Sequence, residues 1–553
     1  MPTVQSLALP LSITAVVLFG LLALTISRRR MKKGIVEDQS TEFFLTARRA
    51  IPLWRIGWSF FASVTGSWVV YALPSYAIDK EFGAGYLGLM FYAIFTGVPI
   101  ILVAHVGERI RNKYPHVLSW GDFANRRFGP TTQILVSLIV LLNMGINLTA
   151  EYTTIGLLFK SVVNVNPLVP IIVVGTVTMV YTAVGGLYAS IVTDQYQGFF
   201  TITLMAVTAV YIAVTFRLPD PRPPLPPTLD ANYQGYTSIV TMGVSLICAT
   251  FFSDAVWQRV WASQDSKTLF RGAAIGAGFA VLVAFFFGFG GFLAAWSGYA
   301  VSESGLGFFD LITKGNTNDD IWVVVLVVIL ASVMNESAVD AFQSALTDTV
   351  ASLAMSLRVP QLFGYNEFPL MAARLLVIFL NVPIVIVAIQ GYNINLLYLI
   401  TNMTTSCATL PMVLGLSKRL EGYVHGRSVN FGILFAMFSV ATYGRLETGD
   451  YGTGIRQKFY AEYDWVSFII ALSSSVIGVS LAAGVEVIVR RATGKPIRVF
   501  RKDPEVTKNV NPAGVPRHNV QTINVDGTPN RLPPAYHHGD GSASTLQTAD
   551  KRI

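Results

Sequence analysis

Long apolar runs alternate with short polar segments from Ser6 to Arg490. Thirteen of these runs reach the length that crosses a bilayer as a helix. They lie at approximately 6–26, 54–78, 84–107, 131–159, 166–184, 190–215, 236–258, 272–297, 321–352, 369–389, 392–416, 428–444 and 464–490. Hydrocarbon offers no water to backbone groups, so each run must satisfy its own hydrogen bonds, and a helix is the predicted form. The expected fold is an all-α polytopic membrane protein with about thirteen transmembrane helices.

Composition agrees with this pattern. Of 553 residues, 52% are hydrophobic and 13% charged, where a soluble chain carries about 25% charge. The net charge of +8 comes from basic residues in loops rather than on one face, so it gives no sign of nucleic-acid binding. Cys248 and Cys407 both sit inside apolar runs, which excludes a disulfide framework and a cysteine-rich zinc site. The first run precedes its basic cluster and lacks a small-residue cleavage site, so it reads as a retained helix rather than a signal peptide.

Lys and Arg collect in the loops after spans one, three, seven, eleven and thirteen, with Arg259, Lys267 and Arg271 assigned to the loop after span seven. The segment Ser302–Asp320 instead carries Glu303, Asp310, Asp319 and Asp320 against Lys314. This bias places the N-terminus outside and the C-terminus in the cytoplasm. It divides the chain into an N-terminal helix with a basic loop (1–53), a core (54–416), two C-terminal helices (417–492) and a polar tail (493–553). The Pro-rich segment 218–227 is expected to be extended. The tail is expected to be disordered.

Some polar residues lie inside the runs. Span nine holds Asn335, Glu336, Ser337 and Asp340. Glu336 and Asp340 are four apart and share a helical face, where two carboxylates repel unless a proton or cation sits between them. Asp348 lies nearer the inner end and is expected to be solvated. Span four carries Asn143, Asn147 and Glu151 as a polar stripe that must avoid lipid. Span two clusters Ser63, Thr65, Gly66 and Ser67 ahead of Trp68, a composition that favours an unwound helix with free carbonyls. Span seven carries Ser253 and Asp254 before Trp257, and span eleven carries Thr401, Asn402, Thr404, Thr405 and Ser406.

Three stretches together resemble the solute:sodium symporter family. The first is Tyr181-Thr-Ala-Val-Gly-Gly-Leu-Tyr-Ala-Ser-Ile-Val-Thr-Asp-Gln-Tyr-Gln197. The second is Val256-Trp-Gln-Arg-Val-Trp-Ala-Ser-Gln-Asp265, similar to the form seen in urea active transporters. The third is Phe43-Phe-Leu-Thr-Ala-Arg-Arg49 ahead of span two. The resemblance implies a LeuT-type five-plus-five inverted repeat, with spans two to six and seven to eleven as the repeats and extra helices at both ends. It implies a coupling-ion site between span two, near Ala62 and Thr65, and span nine, where the family's two usual hydroxyls fall on about Asn335 and Glu336, with Ser337 next. Glu336 there shifts the expectation from sodium toward a proton. The resemblance also places Asp194 at a second cation site, and Ser253, Asp254 and Trp257 at the solute.

The expected function is secondary active symport of a small polar organic solute, coupled to Na+ or H+ by alternating access. Urea, a urea-like compound or a polyamine is favoured; a sugar, amino acid or carboxylate is the alternative. Candidate solute contacts are Ser67, Trp68, Glu151, Ser253, Asp254, Trp257 and Asn402. Candidate coupling-ion residues are Ala62, Thr65, Asp194, Asn335, Glu336, Ser337 and Asp340. Glu151, Asp254 and Glu336 are expected to line the site with acid, which disfavours an anionic solute. The other expected partner is the bilayer, with the plasma membrane as default location. No cofactor beyond the coupling ion is expected. A non-transporting sensor on the same scaffold is a second reading. A channel or an enzyme is disfavoured, because neither a carbonyl filter nor a nucleophile–base set is found.

Overall fold

In the computed structural model of the chain, residues 3–32, 40–79, 83–300, 302–314, 320–365, 368–461 and 463–497 are described. The tail expected from 493 onward lies outside them beyond residue 497. Ten helices among the described residues are long and apolar enough to cross a membrane. Three interruptions raise the number of crossings to thirteen.

The first interruption lies in Leu168–Thr215. This helix has 48 residues, so a straight rod would be about 70 Å long, more than twice the hydrocarbon thickness. The helix breaks at Gly186 (φ 59°, ψ −162°). Span one, Val4–Lys32, touches both halves: Phe19 packs edge-on against Phe200 at 5.7 Å, and a Cβ on Gly20 would meet Val177 at 2.5 Å. In a straight helix residues 177 and 200 would be about 34 Å apart. The chain therefore reverses at Gly186, and spans five and six are antiparallel neighbours.

The second and third interruptions are broken spans. Span seven is Tyr233–Phe251 and Asp254–Ala262, bent by 57°. Span two is Leu53–Ala62 and Trp68–Ile78, separated by the Ser/Thr/Gly segment 63–67. The expected unwinding at Ser63–Ser67 is therefore found. Both repeats begin with a broken helix, and they begin at opposite ends of the bundle. Span seven starts beside the start of span three, away from the basic loops, where Asn232 Nδ2 donates to Gly83 O at 3.0 Å. Span two instead starts near the basic loops.

Contacts between loops confirm this parity. At one end Lys113 pairs with Glu421, Arg111 donates to Ser263 O, and Arg127 donates to Gly415 O. At the other end Tyr71 meets Glu303, Trp296 reaches Pro223 O, and Trp465 reaches Tyr233. The ends of odd and even spans alternate as thirteen crossings require.

Span nine, Ile321–Ser356, forms the centre: nearly every side chain from Val323 to Ser352 is buried. Span ten, Leu370–Ala388, lies at the edge, with only Ala373, Val377, Asn381 and Ala388 buried. Spans three (Gly85–Lys113), four (Pro130–Leu158), eight (Ser266–Ser297) and eleven (Ile394–Leu414) complete the core, and spans twelve (Gly426–Thr448) and thirteen (Trp465–Ala492) pack outside it.

Candidate functional site

The break in span two creates the site. No backbone N–H among the described residues outside the helix donates to the carbonyls of residues 62–65, while Thr65 Oγ1 turns back to Phe61 O. Gly66 passes so close to span four that a Cβ would lie 1.9 Å from Glu151 Oε1. The next residue holds that carboxylate. Ser67 N and Ser67 Oγ donate to Glu151 Oε2 at 2.9 and 2.8 Å, and Asn335 Nδ2 donates to the same atom at 2.8 Å. A carboxylate buried at membrane depth is tolerated when backbone and side-chain donors converge on it.

Trp68, directly after Ser67, forms part of the wall of a cavity of about 80 Å³ between the two broken spans. The walls are aromatic and amide. Trp68 stacks on Tyr92 at 5.8 Å and meets Tyr398 edge-on at 5.7 Å. Asn143, Asn147 and Asn402 supply polar groups, and Ser253 marks the break in span seven. Asn143 Nδ2 donates at 2.9 Å to Ala249 O, which also accepts from Phe252 N at 3.1 Å, and so ties span four to the break in span seven. Tyr463, from the loop before span thirteen, closes one side. Its hydroxyl donates to Asn395 O at 3.0 Å and accepts from Asn402 Nδ2 at 3.4 Å. Tyr463 also borders a second cavity of about 320 Å³ toward the end opposite the basic loops, with Tyr76, Asp79, Tyr233 and Asp464.

A second polar cluster lies behind span two, among spans five, six, seven and nine. Asp194 Oδ2 accepts from Ser59 Oγ at 2.6 Å and from Arg259 Nη2 at 3.1 Å, and Asp194 Oδ1 accepts from Ser337 Oγ at 2.6 Å. Asp340 Oδ1 accepts from Thr182 Oγ1. Both oxygens of Glu336, and Asp340 Oδ2, make no hydrogen bond within 3.5 Å among the described residues. Gln197 lies toward Glu336, and Ser190 and Tyr181 lie toward Asp340. Arg259, the buried cation in this cluster, is committed to Asp194, Ser59 and Ala255 O. Two carboxyl groups thus share a dry site without a dedicated counter-charge. An uncompensated buried carboxylate costs several kcal/mol, so a proton or an added cation is the physical remedy.

A third cluster seals the basic end. Asp254 accepts from Trp120 N at 2.9 Å and from Thr349 Oγ1 at 2.6 Å. Trp257 stacks on Trp120 at 4.6 Å and on Trp261 at 5.4 Å. Asp348 is fully buried here, 3.5 Å from Gln258 Nε2. Among the described residues no group of three or more His, Cys, Asp or Glu is placed to hold a metal.

A model of the sodium:solute symporter family matches residues 43–418. The chain belongs to this family. The symporter is also 28% identical over 471 residues to the spermidine transporter DUR31 of Candida albicans, covering 82% of this chain and 87% of that one. Its fold resembles a Na+-coupled sialic acid symporter solved in a substrate-bound, outward-open state. The TM-score is 0.66 at 16% identity, over 87% of this chain and 97% of the other. It also resembles the nucleobase-cation-symport-1 family transporter MHP1, solved closed with bromovinylhydantoin bound. There the TM-score is 0.51 at 11% identity, over 80% of this chain and 94% of the other. The architecture is thus a LeuT-type transporter fold.

Placed in the symporter, the residues singled out by sequence divide into groups. Trp68, Ser253 and Asn402 line the central cavity. Ser67 and Glu151 stand behind Trp68, joined by Asn335, which had been grouped with the coupling ion. Glu336, Ser337, Asp340 and Asp194 gather in the second cluster, Ala62 ends the first half of span two, and Thr65 lies within the break. Asp254 and Trp257 lie in the seal at the basic end and do not line the cavity.

Three expectations need correction. The cavity walls carry aromatic and amide groups, not the acids Glu151, Asp254 and Glu336. Arg259 is not a loop charge: span seven continues to Ala262, and the guanidinium is fully buried against Asp194. Asp348 is not solvated: it is fully buried, with Gln258 of the second half of span seven 3.5 Å away. Sequence reasoning also missed Tyr92, Tyr398 and Tyr463. Tyr398 sits three residues before the polar run of span eleven, which is its only sequence signal.

Proposed function

We propose that this symporter carries a small organic polycation, a polyamine, and couples its entry to protons taken up by Glu336 and Asp340. The observation that carries the reading is one turn of span nine. Asn335 grips Ser67 and Glu151 behind the cavity wall, while Glu336 and Ser337, its next neighbours, face the carboxyl cluster. Protonation of that cluster and solute at Trp68 therefore act on the same rigid element.

An aromatic-walled cavity suits protonated amines through cation–π attraction. Asp79 and Asp464 border the outer approach, which supports a cationic solute over an anionic one. The likeness to a spermidine transporter supports a polyamine over urea. Family membership and the free carbonyls at residues 62–65 favour a second reading of the coupling ion, sodium held at the break in span two. In either case the Lys- and Arg-rich loops lie in the cytoplasm, the N-terminus lies outside, and the plasma membrane is the site of action.

The test is uptake by proteoliposomes of radiolabelled spermidine and of urea, with wild type beside Trp68→Ala. Spermidine uptake that falls at least tenfold in the variant, with no urea uptake, is expected. Urea uptake without spermidine uptake would overturn the substrate assignment. Spermidine binding with no uptake would identify a sensor instead.

A further inference from the structure

Spans twelve and thirteen lie outside the inverted repeats and pack closely on each other. Their contact is made by small residues: a Cβ on Gly432 would lie 2.4 Å from Val479 Cγ2. Toward the basic end the pair leaves a groove of about 650 Å³. Its apolar side is Phe431, Leu481, Val485 and Val489, each about half exposed on the outer surface of the bundle.

The polar rim of this groove is built for an anion. Arg427, Arg490 and Lys495 stand around it, with Glu486 as the single acid. Glu486 is already held by Arg490, at 3.0 Å from Nε and 2.7 Å from Nη2. Arg427 and Lys495 have no ion-pair partner among the described residues. Span twelve begins here at Gly426, and His425 at its N-cap offers no side-chain hydrogen bond. The first backbone N–H groups therefore stay open, as the positive end of a helix dipole. Ser428 lies in the groove wall, fully buried, and its Oγ has no hydrogen-bond partner.

We infer that this groove binds one anionic glycerophospholipid of the inner leaflet. The phosphate sits at the start of span twelve, between Arg427 and Lys495. The acyl chains follow Phe431, Leu481 and Val485 toward the bilayer centre. Two basic side chains left uncompensated match a lipid carrying net negative charge and give no advantage to a zwitterionic one.

The test uses the full-length protein, stripped of lipid in detergent. Binding of phosphatidylserine and of phosphatidylcholine with the same chains is read by native mass spectrometry and by thermal unfolding. Phosphatidylserine is expected to bind and stabilise preferentially, and less so at high salt. Each basic residue near a membrane surface contributes about fivefold in affinity, so Arg427→Gln/Lys495→Gln should lose about 25-fold for phosphatidylserine and little for phosphatidylcholine. Should the double variant fail to fold, Lys495→Gln alone, at an exposed position, should lose about fivefold. Equal retention of the two lipids would overturn the proposal. So would equally tight binding of glycerophosphoserine, which lacks acyl chains, or a dimer peak abolished by the same substitutions.

Discussion

Glu151 shows how tightly single residues determine this site. Its carboxylate is held by Ser67 and Asn335, and Gly66 leaves it no room to retreat. Gly66→Ala would push a methyl group onto Glu151 Oε1, an overpacking cost of about 1–3 kcal/mol concentrated at the break in span two. The expected result is a folded protein whose spermidine uptake drops by an order of magnitude or more, measured beside its melting temperature. Arg259 and Asp194 make a different prediction. Removing one partner of a buried pair costs about 3–5 kcal/mol, so Arg259→Gln and Asp194→Asn should each lower thermal stability sharply. The double variant should be destabilised by less than the sum of the two, and full additivity would show that the pair is not coupled. Sequence alone could rank none of these partnerships. Asn335, Glu336 and Ser337 are consecutive, yet about 100° of helical rotation per residue sends Asn335 to one cluster and the other two to a second. Which neighbour each meets depends on how spans two, four and six pack.

At the scale of elements, much more was legible. Lipid forces each crossing into an apolar run, so twelve loops could be placed from hydropathy alone. The Ser-Val-Thr-Gly-Ser segment announced the break in span two because small hydroxyl residues and glycine weaken a helix at membrane depth. The reversal between spans five and six also follows from local chemistry. Gly186 adopts a backbone conformation that other residues reach only under strain, and a Cβ there would lie 2.5 Å from Phe44 O. Gly186→Ala should therefore cost at least about 1–3 kcal/mol, seen as a lower melting temperature in detergent. The extent of span seven was misjudged because Arg259 reads with Lys267 and Arg271 as a loop charge. Arg259 is affordable inside only because Asp194 and Ser59 lie 135 residues apart in sequence but side by side in space. Tyr463 was invisible for a similar reason. It comes from the loop before span thirteen, outside the repeats, yet borders both cavities. Tyr463→Ala should weaken spermidine binding about tenfold while sparing stability, measured by competition binding; unchanged affinity would remove it from the site.

For the whole molecule, the account rests on one mechanical link. Span nine is buried along nearly its full length and passes both the aromatic cavity and the Glu336–Asp340 cluster. In the proposed mechanism a proton or ion at the cluster changes the charge that the core must bury, and the same helix carries that change to Asn335, Ser67 and Trp68. Family membership supports a cation-coupled symporter, and the fold is that of LeuT-type transporters. In the proposed mechanism the identity of the coupling ion turns on Glu336, whose two oxygens are buried and make no hydrogen bond within 3.5 Å among the described residues. The most direct measurement is spermidine-evoked current in reconstituted membranes, at several external pH values, with and without sodium, for wild type and Glu336→Gln. The account predicts a current that persists without sodium, grows as external pH falls, and disappears in Glu336→Gln while spermidine binding remains. A sodium-dependent current that is indifferent to pH and survives the substitution would contradict it.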